Sequence, residues 1–261
     1  MSTYSIVFSP TGGTKKVADL FANVFAGEYV EIDLTDAGKD FGEYQFAEDD
    51  VCIVSVPSFG GRVPVKAAER LSLLGGNGAK AILIAVYGNR EFEDTLVEMQ
   101  DLMEAAGFVP VAAVAALAEH SIVRSFASGR PDDNDAKVLA EFAVQVKEKL
   151  ENICENAGNL ANSEKFAIPG DRPYKTVGVF PSKPQLTDAC VKCGICVKAC
   201  PVQAIPEDLS VSMDEETCIS CMRCEAVCPF HARKVAQPVL DFLNEKLSIG
   251  AKGYKENQLF L

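Results

Sequence analysis

The chain has 261 residues, 48% hydrophobic and 24% charged, which is enough for two globular domains with ordinary cores. Its formal net charge of −12 argues against nucleic acid, whose phosphates require cationic neutralisation, and no apolar run reaches the ~20 residues that cross a bilayer. The opening MSTYSIVFSP has no basic start, apolar core or cleavage site, so a soluble cytoplasmic protein is expected.

From the N-terminus, short apolar runs alternate with longer amphipathic stretches. Strands are expected at Tyr4 to Phe8, Tyr29 to Leu34, Val51 to Val56, Ala81 to Tyr87 and Val109 to Ala115, bounded by Gly, Pro or Asp. Helical periodicity covers Lys15 to Phe25, Val65 to Leu74, Glu93 to Ala106 and Ala136 to Cys154. Buried strands alternating with helices imply a parallel sheet covered on both faces. Five strands in this length suit the doubly wound order 2-1-3-4-5.

The turn after the first strand reads Ser9-Pro10-Thr11-Gly12-Gly13-Thr14 and opens a helix. Two glycines let backbone N–H groups approach an anion, hydroxyls donate, and the helix N-terminus favours negative charge, so the turn has the make-up of a phosphate cradle. A plain helix cap uses the same residues. In an open α/β sheet, ligands bind beyond the carboxyl ends of the strands, where two further loops emerge. One is Pro57-Ser58-Phe59-Gly60-Gly61-Arg62 and the other Tyr87-Gly88-Asn89-Arg90, followed by Phe92. Their aromatics can flank a flat ring and their backbone amides can meet its polar edge. The same aromatics would also serve as core anchors. His120 falls on this edge, after the fifth strand, and Cys52 reads as a small core residue within a strand.

Residues 155–185 contain scattered Gly and Pro without periodicity and read as a connector. Beyond it, eight of the ten cysteines stand in two copies of C-x-x-C-x-x-C-x-x-x-C-P, starting 28 residues apart at Cys190 and Cys218. Zinc favours two close pairs separated by a longer loop, and disulfides need an oxidising compartment. The spacing instead fits two iron–sulfur clusters, in which the fourth cysteine of each run serves the other cluster. On that rule Cys190, Cys193, Cys196 and Cys228 hold one [4Fe-4S] cluster, and Cys218, Cys221, Cys224 and Cys200 hold the second. Proline after each fourth cysteine biases that cysteine toward an extended backbone, which helps it reach across. The tail from Pro238 has Leu240, Phe242, Leu243 and Leu247 at near-helical spacing, suited to packing on the protein or to a homodimer contact.

Residues 3–150 resemble a flavodoxin domain, with Ser9 to Thr14 matching the FMN phosphate loop, and residues 186–233 resemble a two-cluster bacterial ferredoxin. Together the chain resembles the flavodoxin–ferredoxin fusions of anaerobic bacteria and archaea. The resemblance implies FMN beside two [4Fe-4S] clusters, an α/β flavodoxin-like domain at 1–154, the connector, a small α+β ferredoxin-like domain at 186–236 and a tail at 237–261. Lacking tryptophan, the chain must stack a flavin on Phe59, Tyr87 or Phe92.

Two functions follow as expectations. One is an electron carrier between FMN, the clusters and redox partner proteins, with the acidic surface steering it to basic patches; ordinary solubility explains that charge equally well. The other is a flavin-dependent oxidoreductase for a quinone, NAD(P)H or similar small molecule, with Arg62, Asn89, Arg90 and His120 as substrate contacts.

Overall fold

Strands rich in Val, Ile and Ala with no polar alternation must be covered on both faces, and the first half of the chain obeys this. A computed structural model describes residues 2–155, 167–178, 182–209 and 211–261. Strands β1 (Thr3–Val7), β2 (Val30–Asp33), β3 (Val51–Pro57), β4 (Lys80–Tyr87) and β5 (Val109–Leu117) pair in parallel in the order β2-β1-β3-β4-β5. Helices α1 (Gly13–Phe25) and α4 (Asp133–Glu155) cover one face, burying Phe21 and Phe142 against Ile53, Ile82 and Ile84. Helices α2 (Val65–Leu71) and α3 (Thr95–Ala105) cover the other, with Leu71, Met99 and Met103 against Val54, Leu83 and Ala85.

Helix α3 starts later than its apolar periodicity suggests. Glu93 adopts a left-handed φ of 43°, and the Asp94 carboxylate accepts the backbone N–H groups of Asp171 (2.9 Å) and Lys175 (2.7 Å) from the connector. Gly170 fits against Val97 only because it lacks a Cβ, which would stand 2.3 Å from the valine methyl.

In the C-terminal lobe a short hairpin-like pair, β6 (Gln185–Leu186) with β7 (Arg233–Lys234), frames α5 (Ile195–Ala199) and α6 (Arg223–Ala226). The cysteine runs share a core with Ala204, Ile205, Leu209 and Met213. Two arginines fasten this lobe to the first domain. Arg70 donates to the carbonyls of Leu34 and Pro201, the latter at 2.7 Å, and Arg223 Nη1 donates to the carbonyl of Pro10 at 3.1 Å.

The expected five-stranded sheet gains a sixth member. After α7 (Gln237–Ser248) the chain crosses the carboxyl edge and ends in β8 (Gln258–Phe260), antiparallel to β5 with Val114 opposite Leu259. An open β5 edge would leave a row of unpaired backbone groups, and β8 covers it. The tail from Pro238 thus packs back on the protein, reaching the first domain through β8. Among the described residues, no helix is long and apolar enough to cross a membrane.

Candidate functional site

The loop after β1 turns sharply at Gly12 (φ 92°), the N-cap of α1, which has no side chain to cap it. Ser9 Oγ accepts the Lys15 N–H at 2.9 Å, so the loop is pinned while the serine hydroxyl can still donate. A Cβ on Gly13 would approach that of Ala118 to 3.3 Å, so the loop lies tight against the chain leaving β5. Thr11, Gly13 and Thr14 line a cavity together with Pro57, Ser58, Phe59, Tyr87 and Gly88. The N-terminus of a 13-residue helix beside hydroxyls and a glycine turn fits a phosphate, and the aromatics beside it fit a flat ring.

Several residues expected at this edge are committed elsewhere. Arg62 grips Glu98 through Nε (2.7 Å) and Nη2 (2.8 Å), donates to the Lys175 carbonyl and covers the Tyr174 ring at 4.6 Å. Asn89, 4% exposed, donates to the carbonyls of Ala251 (2.6 Å) and Gly253 (2.9 Å). Arg90 forms a fork with Glu93, and its carbonyl accepts from Lys255. Phe92 is buried and packs its ring 5.6 Å from that of Tyr87, supporting the wall from behind. Gly60 and Gly61 take positive φ at the tip of a turn closed by Phe59 and Arg62, and any Cβ on Gly61 would strike Glu93. The physical reason is shared. The connector and tail bring carbonyls to these loops, Glu93 and Glu98 bring carboxylates, and the long polar side chains satisfy them.

His120 does line the cavity. Its Nδ1 accepts the N–H groups of Ile122 (3.2 Å) and Val123 (3.0 Å), which assigns the remaining proton to Nε2. Burial first, then the Arg90 charge, pushes this imidazole down to about 4, so it is neutral at physiological pH. Gly88 lies so near that a Cβ there would come within 2.8 Å of the His120 backbone. Burial likewise pushes the Tyr87 phenol up to about 12, so it remains a neutral donor.

The eight motif cysteines surround two separate voids. Cys190, Cys193, Cys196 and Cys228 line the first; Cys200, Cys218, Cys221 and Cys224 line the second. Among the described residues no three His, Cys, Asp or Glu side chains converge as around a single ion; each quartet rings a space instead. Backbone N–H groups already point at sulfur, Ala204 to Cys200 Sγ at 3.4 Å and Ala232 to Cys228 Sγ at 3.3 Å. Such bonds favour a thiolate and fit ligands of an iron–sulfur cluster. Burial pushes the bare Cys221 and Cys224 thiols up to about 12, so a bound cation is needed to hold them ionised.

A family model for the 4Fe-4S dicluster domain matches residues 189–232. The chain joins a flavodoxin-like fold to a 4Fe-4S dicluster domain. No curated protein matches it. Among solved structures, a flavodoxin from the domain Archaea is 16% identical, covering 58% of this chain and 99% of its own at a TM-score of 0.43. The Streptococcus pneumoniae TIGR4 flavodoxin is 21% identical, with 57% and 99% covered and a TM-score of 0.39. The Fusobacterium nucleatum flavodoxin bound to flavin mononucleotide is 14% identical, with 57% and 99% covered and a TM-score of 0.40. The strand order, not these likenesses, defines the fold of the first domain.

The dicluster domain supplies one wall of the cavity and one contact to its loop that pattern reading missed. Cys221, from the second quartet, also lines the cavity beside Thr14 and Tyr87. Arg223, two positions on, places its guanidinium on the cradle loop through Pro10, and its Nε is buried without a partner among the described residues. Neither could be found from spacing, because both depend on how the two domains dock. Cys52 is buried and its thiol pushed up by burial, as suits a core residue; the side chain of Cys154 falls outside those described.

Proposed function

We propose that the protein carries electrons between FMN, two [4Fe-4S] clusters and redox partner proteins, in the cytoplasm and in anaerobic metabolism. Thr11, Gly12, Gly13 and Thr14 hold the phosphate at the start of α1, while Phe59 and Tyr87 flank the ring. Cys190, Cys193, Cys196 and Cys228 ligate one cluster and Cys200, Cys218, Cys221 and Cys224 the other. When bound, the flavin would exchange one or two electrons and each cluster one.

One observation carries this reading: Cys221 is a member of a cysteine quartet and a wall of the flavin cavity at once. A shared wall leaves no protein layer between the two sites. Phe59, Tyr87 and Ala118 also line the cavity. The acidic chain suits brief docking on basic partner patches, an attraction that salt weakens. Reduced thiols also accord with the reducing cytoplasm.

The test starts with composition. Purified anaerobic protein is expected to contain about eight iron and eight sulfide per chain and to release one FMN on acid treatment. Stopped-flow mixing with reduced ferredoxin should then transfer electrons rapidly. A second reading, a flavin-dependent oxidoreductase acting on a quinone or NAD(P)H, draws on His120, whose neutral ring lines the cavity. Saturable turnover of such a small molecule would favour it over the carrier.

A further inference from the structure

The two cysteine runs are close structural copies. Their 28-residue repeat relates Lys192 to Ser220, Gly194 to Met222 and Gln203 to His231, and all six have positive φ. Helices α5 and α6 begin just after Gly194 and Met222, at the repeat mates Ile195 and Arg223. Each position of one run therefore has a structural counterpart in the other.

The second run is docked on the first domain. Ile219 packs against that domain's core, Cys221 lines the cavity beside the cradle loop, and Arg223 donates to the carbonyl of Pro10. The residues lining the void of Cys200, Cys218, Cys221 and Cys224 are all buried or half-buried. The repeat mates of Ile219, Cys221 and Arg223 are Val191, Cys193 and Ile195, and these three are exposed, Val191 at 58% and Ile195 at 42%. Phe230, 48% exposed, joins them in lining the void of Cys190, Cys193, Cys196 and Cys228. Large apolar side chains left in water around a cofactor site mark a contact surface.

Charge says what fits there. From Cys190 to Cys200 the sequence has Lys192 and Lys198 and no acidic residue, whereas the second run has Arg223 and Glu225. Both lysines are exposed, and Lys198 lies one turn after Ile195 on α5, on the same side of that helix. The flanking exposed charges, Asp188 and Lys234, are of opposite sign, and the acidic pair Glu207 and Asp208 adjoins buried Leu209 rather than the exposed rim. A second copy of this chain is a poor occupant. About a two-fold axis the patch would meet itself, setting Lys192 and Lys198 against their own copies.

We propose that the face of Val191, Cys193, Ile195 and Phe230, with Lys192 and Lys198 beside it, docks an acidic electron-transfer protein. That partner takes the place at the first cluster that the flavodoxin-like domain takes at the second. This names a partner within the carrier function above and rests on the reading that the first quartet holds a cluster. The chain as a whole is acidic, and this face has the opposite sign. One electron crosses from the partner's reduced centre to the cluster, so the partner is oxidised by one electron, the cluster is reduced by one, and no bond is made or broken.

The probe is an acidic [2Fe-2S] ferredoxin, reduced and mixed anaerobically with the oxidised holoprotein at low ionic strength. In stopped-flow, Lys192→Glu with Lys198→Glu should lower the second-order rate constant by about 10-fold or more. The charge-matched pair Lys137→Glu with Lys147→Glu, on α4, should change it by less than about 2-fold. Equal rates in the two double variants, each with wild-type iron and sulfide content, would overturn the proposal. Carbodiimide cross-linking of the wild-type protein to the ferredoxin needs no variant. Lys192 or Lys198 should be joined to ferredoxin carboxylates; cross-links confined to other lysines, or none, would overturn it too, as would a dimer of this chain built on the same face. Wild-type protein without iron would instead defeat the cluster reading itself, so the two failures are distinguishable.

Discussion

Arg223 Nη1 reaches the backbone carbonyl of Pro10 at 3.1 Å across 213 positions of sequence. The arginine lies between two cysteines of one quartet, and the proline lies in the loop between β1 and α1. This contact ties the second cysteine quartet to the loop after β1 and brings a cation to that loop.

Replacing Arg223 by Gln removes that cation and shortens the reach to Pro10. FMN affinity is expected to fall about 10-fold, the scale of one charge-assisted hydrogen bond, with iron and sulfide unchanged. Quenching of flavin fluorescence on titration into the protein measures it; unaltered affinity would remove Arg223 from the cradle.

Thr11 lines the cavity beside α1 and neither of the cysteine voids, and Thr11→Leu adds bulk there. FMN should bind at least ~10-fold more weakly while iron content stays at the wild-type level. Equal loss of flavin and iron would contradict two separately built sites.

Arg70 is buried and bonds the carbonyls of Leu34 in the first domain and Pro201 in the second, with its guanidinium 5.4 Å from the Phe41 ring. Arg70→Met preserves bulk but strands both carbonyls. A loss of about 2–3 kcal/mol is expected in urea unfolding, together with faster proteolysis between the domains. Loss of stability without added cleavage would mean the bond serves the first domain alone.

Asn257 accepts the Leu117 N–H at 3.0 Å and donates to Asp135 at 3.0 Å, fixing the tail at the end of β5. Asn257→Ala leaves these groups without their partner. About 1–3 kcal/mol of stability should be lost, and hydrogen exchange at β8 should quicken before that of β4.

His120 titrates near 4 in the folded protein, against an ordinary value of 6.5. As pH falls, the unfolded chain takes up its proton first. The stability that depends on the neutral ring is therefore complete above about pH 6.5 and lost between about 6.5 and 4. His120→Asn keeps an acceptor for the Ile122 and Val123 amides but does not titrate. Between pH 7 and pH 4, flavin-free wild type should lose up to about 3 kcal/mol more than this variant in urea unfolding. Parallel losses would show that His120 is not the acid-sensitive group.

The strand order was legible because runs such as Val51 to Val56 have no polar alternation and are separated by amphipathic helices. The start of α3 was not, since Glu93 is held left-handed and the Asp94 carboxylate is engaged by the connector. Arg62, Asn89 and Arg90 have the residue types of ligand contacts, yet Glu98, the tail carbonyls and Glu93 claim them first. A polar side chain on a ligand-facing loop carries no mark of which partner will reach it.

Cysteine spacing and apolar periodicity act over a few residues to a few turns, so the chain by itself determined a dicluster segment following a doubly wound α/β domain. Which surfaces meet was decided only by the tertiary structure: Cys221 facing the cradle, β8 closing the sheet, and Ile219 packed on the first domain where its repeat mate Val191 is exposed. Those contacts depend on the docking of segments more than a hundred residues apart, and no local pattern encodes that geometry.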